Sequence, residues 1–459
     1  MIFSRVFKRF VEQAPVGVMA RMAMERAMSA EALDELFDVH AERQYTRELL
    51  FSAVVDLMSL AVCKVEPSVH AAYQAVRESL PVTVTSLYNK LNTTEPGIAA
   101  SLAKHTAAQL EPVIAEMGGR LPDLVPGHRV RIIDGNHFKA TERRLKVLRG
   151  SIAGPLPGQA LVILDPALML ATEMIPCEDA HAQERSLTPE ILDLVEEKDV
   201  WVADRNFCTA ALLSGIASRS GFFVIRQHAK LHVEELSPLR PAGKTDTAEV
   251  SEQRVTITSP DGEPIAVRRI VLTLREPTRD GDGQMAILTN LPKTALSAVD
   301  GANVYRKRWT LETLFQSLTA SLEGEIDTLA YPGAALLGFS IALSAYNVLS
   351  TVQAALRAQF GTAKVNEEVS GYYLANETRK TKGGMEIAIE PEEWAVFRAM
   401  TVPDFVAALL HCAAHVQLSK YQRHPRGKKK PVPKRTRFPK AGHVSTARLL
   451  RGVKPQDAP

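Results

Sequence analysis

Cysteine is scarce in this sequence. The 459 residues contain four cysteines, Cys63, Cys177, Cys208 and Cys412, which stand far apart. No CxxC pair is present, nor any Cys/His spacing that is typical of zinc ligands. The sequence therefore supports neither a disulfide framework nor a zinc finger, and a reducing compartment is the simpler expectation.

Long apolar runs are also rare. The only one near the N-terminus, residues 16–20, is broken by Gly17 and followed by Arg21, so we expect no signal peptide. The stretch 328–356 has no charged residue, but polar side chains such as Asn347 interrupt it. Because a membrane helix needs about 20 predominantly apolar residues, we expect a buried helix there and no membrane partner.

The overall composition is not extreme, but the charge is unevenly spread. Hydrophobic residues make up 46% and charged residues 23%, a globular balance that at this length predicts two or three domains. The net charge is +3, yet residues 420–459 hold 13 basic residues and one acid, a net charge of +12. The remaining 419 residues therefore carry −9. A basic segment of this density predicts a polyanionic partner.

Residues 1–124 have helical periodicity. Ser29 stands where a helix N-cap is expected, directly before a run with helical apolar spacing. Residues 85–92 could belong to a helix-turn-helix, while an ordinary helical bundle is the alternative.

The rest of the chain divides into four parts. Residues 125–227 follow the order three strands, helix, strand, helix, strand, and together with residues 299–360 they predict an α/β catalytic domain. Residues 228–298 return to strands separated by charged loops, which indicates a β insertion within that domain. Residues 361–419 are helical. The Pro-, Lys- and Arg-rich residues 420–459 are expected to form a flexible tail.

Three acids are placed where catalytic carboxylates would be expected. Asp134 and Asp204 each end an apolar strand, the position at which α/β sheets tend to bind ligands, and Glu312 lies in a helical segment. Converging carboxylates can hold two divalent ions about 3.5–4 Å apart for phosphoryl transfer, and hard oxygen ligands suit Mg²⁺ or Mn²⁺. Each acid alone also has an ordinary explanation, as a turn, cap or solvated helix residue.

The residues around Glu312 strengthen the catalytic interpretation. On one continuous helix Tyr305, Arg308, Glu312 and Thr319 would share a face. That face would present an acid beside a phenol and a guanidinium, whose planar fork suits phosphate. Trp309 lies on an adjoining face, where it would pack in the core or stack on a DNA base, and we favour the core.

These motifs resemble those of a known family. Asp134-Gly-Asn, Asp204-Arg-Asn-Phe and Tyr305-x-x-Arg308-x-x-x-Glu312 resemble the signature of DDE transposases of the insertion-sequence-four (IS-four) family, which act by cut-and-paste. The resemblance covers most of the chain, from about residue 30 to about residue 450. Four further stretches are similar to this group: 178–185, 223–228, 423–431 and 443–448.

The resemblance implies a fold and a site. The fold would be an α/β RNase H-like domain with a mixed five-stranded sheet and a β insertion before the helix that carries Glu312, flanked by helical N-terminal and C-terminal regions. Asp134, Asp204 and Glu312 would be the catalytic residues and the ligands of two Mg²⁺ (or Mn²⁺). Tyr305 and Arg308 would hold DNA phosphates near the cleavage site.

The resemblance also implies an activity. The enzyme would hydrolyse one strand at the inverted-repeat ends of an insertion sequence, and the freed 3′-OH would then attack the opposite strand, in a hairpin step, or target DNA. Its partners would be double-stranded DNA and a second copy of the chain in a synaptic complex. The helical residues 1–124 would bind the DNA ends. Its location would be the cytoplasm of a prokaryote, associated with the nucleoid.

The sequence departs from the family pattern at two positions. Thr319 stands where the family has Lys, and Thr brings one hydrogen-bond donor but no charge. Either activity is reduced or another cation substitutes. Asn206 stands where the family usually has Gly after Asp-Arg, and Asn is among the residues that best tolerate a left-handed turn.

The basic tail is the second candidate for DNA contact. Its densest part contains Lys428, Lys429, Lys430, Lys434 and Arg435. Such a run would bind phosphates with strong salt dependence and little sequence specificity. A solubilising tail is the alternative.

Three functions remain in competition at this stage. The leading one is an active DNA transposase. The second is a transposase-derived DNA-binding protein without transposition activity, which Thr319 supports. The third is an RNase H-like nuclease that only cuts, which needs neither the β insertion nor the Tyr305 and Arg308 face.

Overall fold

The computed structural model describes residues 4–44, 48–80, 82–150, 152–278, 281–424 and 442–452. Three clusters of buried apolar side chains hold these residues together. Two of them cover the opposite faces of a central sheet, and the third joins the N-terminal helices to the C-terminal ones.

Helices fill the described part of the chain before the first strand. Hydroxyl caps start several of them: Ser29 accepts the N–H of Ala32, which confirms the predicted cap, and Ser68 and Thr83 act in the same way. The helices are α1 (Arg5–Gln13), α2 (Pro15–Ala27), α3 (Ala30–His40), α4 (Phe51–Val62), α5 (Val69–Ala75), α6 (Val84–Asn92) and α7 (Pro96–Met117).

The central sheet is mixed, as predicted, but it has ten strands rather than five. The strands of the chain are β1 (Arg129–His137), β2 (Gly154–Leu156), β3 (Gln159–Asp165), β4 (Leu170–Cys177), β5 (Asp199–Ala203), β6 (Phe222–Arg226), β7 (Glu234–Glu235), β8 (Arg240–Lys244), β9 (Ala248–Thr258), β10 (Pro264–Leu274), β11 (Gln284–Thr289) and β12 (His443–Ser445). The sheet order is β4-β3-β1-β5-β6-β11-β10-β9-β7, with β8 paired to β9. Strands β5 and β6 run parallel to β1, and β3 runs antiparallel to it.

The additional strands come from the predicted β insertion. β11 pairs antiparallel with β6, with Ile287 opposite Arg226, and β10 and β9 follow outward. Residues 228–298 therefore extend the catalytic sheet at its edge instead of forming a separate β unit. This extension closes the hydrogen bonds of the edge strand β6, which would otherwise be open to another chain.

The helices after β4 lie on both faces of the sheet and beyond it. They are α8 (Thr188–Leu192), α9 (Ala210–Ser218), α10 (Ala298–Arg306), α11 (Trp309–Ala320), α12 (Pro332–Phe360), α13 (Thr362–Glu368), α14 (Gly371–Ala388), α15 (Pro391–Ala395), α16 (Val402–Ala414) and α17 (Thr446–Leu450). α8 and α9 cover one face, and α11 and α12 cover the other.

The expectation of one continuous helix through Tyr305 and Glu312 is wrong. α10 ends at Arg306 and α11 begins at Trp309. Between them Arg308 N–H bonds to Tyr305 O at 3.0 Å and Leu311 N–H to Arg308 O at 3.0 Å, the tight i→i+3 pattern. Tyr305 therefore belongs to a different helix from Glu312.

Helix α12 forms the centre of the molecule. By length and composition it is the one described helix that could cross a membrane, and 78% of its most apolar window is buried. Its polar side chains bond to neighbouring elements: Asn347 accepts from Ala171 N–H at 2.8 Å and donates to Ala171 O at 3.0 Å, while Ser344 bonds to Thr106 at 3.1 Å. The predicted buried helix is therefore present, and its polar residues hold it against β4 and α7.

The tail predicted to be flexible is partly ordered. Residues 418–421 form a 3₁₀ turn, and Gln422 makes a β-bridge to Val369. At the far end β12 pairs parallel with β2, and α17 follows it. The expectation of a flexible 420–459 is thus wrong for residues 420–424 and 442–452, because backbone pairing anchors both.

Candidate active site

Asp134 and Asp204 lie at the same edge of the sheet. β1 and β5 are parallel neighbours, and Ile132 pairs with Val202, so each acid follows two residues after a paired position. Asp204 caps the turn that follows β5, accepting the N–H of Asn206 at 2.7 Å. Asp204 directly follows the carboxyl end of β5, as predicted, but β1 continues to His137, so the expectation that Asp134 ends its strand is wrong. The two acids still lie level with each other on neighbouring parallel strands, where α/β sheets bind ligands.

Glu312 reaches the same edge from α11. Buried Leu311, Leu314 and Leu318 hold that helix against the sheet, and α11 contacts β1. The Glu312 side chain remains 46% exposed and belongs to the first turn of the helix. It is therefore accessible to a ligand that approaches from solvent.

Arg308 connects two of the three acids. Its Nη1 donates to Asp134 Oδ2 at 2.6 Å, and its Nη2 donates to Glu312 Oε1 at 2.8 Å. The Arg308 and Asp134 side chains are only 13% and 16% exposed, so the charge-assisted bond between them is largely shielded from water, whereas the bond to Glu312 faces solvent. In this arrangement a guanidinium occupies the space between the first and third acids.

The surroundings of Asp134 raise the pKa of its carboxyl group. Burial raises its pKa to about 6, the nearby carboxylates of Asp204 and Glu184 act in the same direction, and Arg308 opposes them. The positive charge of Arg308 therefore favours the ionised form of the Asp134 carboxylate.

Tyr305 is buried beside this cluster. Desolvation raises the pKa of its phenol, and the neighbouring Arg308 charge opposes that rise. The phenol is therefore neutral at physiological pH and can act as a hydrogen-bond donor. Although Tyr305 lies in α10 and Glu312 in α11, the tight turn between the two helices still places Tyr305 beside Arg308, as predicted.

Glu184 is a fourth carboxylate that the sequence analysis missed. It begins a 3₁₀ turn after β4, accepts Asn206 Nδ2 at 3.3 Å, and lies against Gly135. A Cβ at Gly135 would stand 1.9 Å from Glu184 Oε1, so any side chain after Asp134 would displace the Glu184 carboxylate from its present position. Burial, followed by the Asp204 charge, raises the pKa of Glu184. The only sequence signal was that Glu184 falls within the family-like stretch 178–185.

Asn206 is one of the two departures from the family pattern, and the structure shows what this residue does. It is absent from the positive-φ residues of the described chain, so its backbone is not in the left-handed region. Its side-chain amide instead bonds Glu184. The tolerance of Asn for a left-handed turn is thus not used, and the residue contributes a link between two acidic segments.

Thr319 is exposed, two turns beyond Glu312 on α11. Its hydroxyl bonds back to Phe315 O at 3.1 Å, while Lys64 Nζ donates to the Thr319 carbonyl at 3.2 Å. Lys64 follows the end of α4 and also lies 3.4 Å from Glu323 Oε2. A cation from the N-terminal region therefore lies beside the position at which this chain lacks a lysine.

Of the remaining residues predicted to bind DNA, Trp309 lies in the described part of the chain and the basic tail residues do not. Trp309 is 52% exposed, so the expectation that it packs in the core is wrong. The five basic tail residues lie outside the described part of the chain: Lys428, Lys429, Lys430, Lys434 and Arg435.

The donor set was compared with what a divalent cation requires. Four carboxylates gather at one edge, and hard oxygen ligands suit Mg²⁺ or Mn²⁺. Among the described residues, however, no three acids, histidines or cysteines are arranged as a metal site. The carboxylate donors therefore suit a hard cation. In this structure, however, they are spaced around the Arg308 guanidinium and not around a metal ion.

Comparison with known families agrees with this geometry. Residues 126–348, slightly less than half of the chain, match the family model described as a transposase DDE domain. The matched range contains Asp134, Asp204 and Glu312 together with the inserted strands. A search of curated proteins found no significant match. The match supports a DDE transposase with an RNase H-like domain, and domains of this kind generally use divalent metal ions.

Proposed function

We propose that this chain is a DNA transposase of the IS-four family that cleaves and joins DNA at the inverted-repeat ends of an insertion sequence. The observation that carries the proposal is the position of Asp134 and Asp204 side by side on neighbouring parallel strands, with Asp134 bonded to the Arg308 that also holds Glu312. This cluster falls within the matched transposase domain. Double-stranded DNA is the substrate, and a homodimer on paired ends is the active form.

Asp134, Asp204 and Glu312 would hold two Mg²⁺ or Mn²⁺ ions. When bound, such ions activate the attacking oxygen and stabilise the leaving one in phosphodiester cleavage. The raised pKa of Asp134 supports this assignment, because a buried carboxylate beside two others gains most from a nearby cation. Arg308 must give up at least one of its two carboxylates for the ligands to converge.

Arg308 and Tyr305 would handle the DNA phosphate. A guanidinium released from Asp134 can turn its planar fork to a phosphate and donate two hydrogen bonds. The neutral phenol of Tyr305 can donate a third. In the free chain the same guanidinium pairs with Asp134 and Glu312, so their carboxylates stay close together without a bound cation.

Lys64 would supply the cation that position 319 lacks. Its amine lies against the end of α11, on the helix that carries Glu312. Seven residues of helix separate Glu312 from Thr319, or about 10 Å at about 1.5 Å per residue. A phosphate one or two steps along the strand from the reacting one would therefore come near Lys64.

A DNA-binding protein that has lost transposition is the second candidate. Thr319 in place of lysine favours it, since this change removes a charge from the conserved signature that the chain otherwise resembles. Such a protein would retain DNA affinity without cleavage. By virtue of its DNA partner, either protein would be associated with the nucleoid in a prokaryotic cytoplasm.

Cleavage of the DNA that flanks the reading frame tests the proposed reaction. The wild-type protein should nick a labelled duplex of the inverted-repeat end in Mg²⁺. Asp134→Asn, Asp204→Asn and Glu312→Gln should each lower the rate about a thousand-fold or more, since each removes a charge that holds a catalytic cation. DNA binding in EDTA should be retained.

Asp193→Asn is the matched control, because Asp193 is an exposed acid at the end of α8. It should cleave at the wild-type rate. Full cleavage by any of the three site variants would remove that residue from the active site. A wild-type protein that binds the end but never cuts it would establish the DNA-binding candidate instead.

A further inference from the structure

A second basic segment lies outside the tail. Residues 139–149, between β1 and β2, contain five basic residues and one acid, a net charge of +4 within a body that carries −9. This segment begins five residues after Asp134, directly beyond the strand that carries it.

Hydrogen bonds fix the start of this loop to the catalytic helix region. Lys139 N–H donates to Glu325 Oε2 at 2.7 Å, and the same carboxylate accepts Asn136 Nδ2 at 3.1 Å. Glu142 N–H donates to Asp327 O at 2.8 Å. The loop is thus tied both to β1 and to the connection between α11 and α12.

The far end of the loop is held by the C-terminal segment. β12 pairs with β2, and α17 packs against the turn at residues 146–148, where Leu148 is buried. Arg448 and Arg451 of this segment pair with acids of the loop after β4, at 2.8 Å to Asp179 and 3.1 Å to Glu178. The cations of the C-terminal segment are therefore neutralised, and it acts as a brace.

Three of the five basic side chains of the loop are exposed and free to contact a ligand. Lys139, Lys146 and Arg149 are exposed, and none of them has an ion pair among the described residues. Arg144 pairs with Glu142 at 2.7 Å. The segment has no aromatic residue, so it offers charge to a phosphate backbone rather than stacking surfaces to bases.

We propose that the loop 139–149 binds the phosphate backbone of the DNA duplex that enters the active site. This inference rests on the proposed function of the Asp134 site. Five residues of extended chain span at most about 16 Å at about 3.3 Å per residue. At about 3.4 Å per base pair, Lys139 therefore lies within about five base pairs of the reacting phosphate, and Lys146 and Arg149 follow farther along the loop. The loop positions the duplex and carries no sequence information, since it reaches phosphates and not base edges.

Salt-dependent binding of an inverted-repeat duplex in EDTA tests the loop. In Lys146→Gln/Arg149→Gln, the slope of log affinity against log salt should become shallower by about two, because each lost phosphate contact removes about 0.9. Lys198→Gln/Arg219→Gln removes two charges at the opposite edge of the sheet, where Lys198 N–H bonds to Ser220 O, and its slope should be unchanged.

Two further measurements make the result decisive. The charge-preserving variant Lys146→Arg/Arg149→Lys should keep the wild-type slope. Hydroxyl-radical footprinting should lose protection of the duplex backbone that flanks the cleavage position only in the Gln variant. A Gln variant with the slope of the control, at an unchanged melting temperature, would overturn the inference. Because binding is measured in EDTA, a wild-type protein that binds but never cleaves would refute the proposed reaction without refuting the loop.

Discussion

Arg308 shows how one residue can serve two states of a site. In the free protein it neutralises Asp134 and Glu312, and without it three carboxylates would repel each other around a buried Asp134. The same fork suits a phosphate. A ligand that brings cations and phosphates together therefore replaces one set of ion pairs by another, and the exchange leaves no buried charge unpaired.

Lys64 is the residue that decides whether Thr319 weakens the enzyme. It adopts a left-handed backbone with φ of 58°, where glycine would cost least, and its N–H bonds to Ala61 O at 3.1 Å. Lys64→Gln should lower cleavage about ten-fold or more, because a charge-assisted hydrogen bond is worth about 1.5–3 kcal/mol. Thr319→Lys should restore the rate in that background.

A structural role for Lys64 predicts a different outcome. If its amine served only to bond the end of α11, then a new lysine at the exposed position 319 would not replace it, because the Thr319 carbonyl would still lack its donor. Failure of the double variant to recover, together with a lower melting temperature of Lys64→Gln, would contradict the phosphate-binding role. Lys104→Gln, at another partly exposed lysine with an ion pair, is the matched control.

Single residues were predictable where their signal was local. Asp134 and Asp204 follow apolar runs that could only be buried strands, so their meeting at one edge followed from the parallel arrangement. Glu184 and Lys64 reach the site from distant segments, and no pattern within a short window connects them to it. Their roles depend on contacts across the fold, which one sequence does not contain.

At the scale of elements, the helix break at Arg308 and the position of the inserted strands were not predictable. The residues 298–320 contain one glycine and no proline, so nothing local ends α10 at Arg306. The strands β9, β10 and β11 were readable from their alternation, but their pairing with β6 depends on a register set by the whole sheet. The individual helices and strands were therefore predicted better than the connections and pairings between them.

The element pair β2–β12 gives a prediction of its own. A chain that ends at Ala441 loses this pairing, including the bond from Gly154 N–H to Gly442 O at 3.0 Å, and the Arg448–Asp179 pair. Backbone bonds are worth about 1 kcal/mol each, so the loop 139–156 should open more often. Hydrogen exchange should quicken there by roughly ten-fold, while β3 and β4 should keep their protection.

The same truncation separates bracing from charge. It also removes Arg448 and Arg451, so Arg448→Gln/Arg451→Gln in the full-length chain is the comparison. This variant should give a smaller increase in exchange, because β12 still pairs with β2. Unchanged exchange at residues 152–156 in the truncated chain would show that the C-terminal segment does not brace the loop.

At the scale of the whole molecule, the bland net charge of +3 divides between an acidic body and a basic C-terminal segment. The sequence placed the +12 on a free tail, whereas the structure holds the chain on both sides of residues 425–441. Arg423 donates from Nε to Val369 O at 2.7 Å on one side, and β12 lies on the other. The described residues on both sides of residues 425–441 are thus anchored, and truncation before this basic segment removes an anchor as well as charge.

Charge replacement is therefore the sharper test of this segment. Glutamine at all five positions, Lys428, Lys429, Lys430, Lys434 and Arg435, should leave the melting temperature unchanged because both anchors remain. The salt slope of DNA binding should become shallower by as much as about 4.5, since each of five phosphate contacts would contribute about 0.9. The preference for an inverted-repeat end over an unrelated duplex should stay the same, because phosphate contacts carry no base information. A wild-type slope would remove the segment from the DNA interface, and a lost preference would mean that it contacts bases.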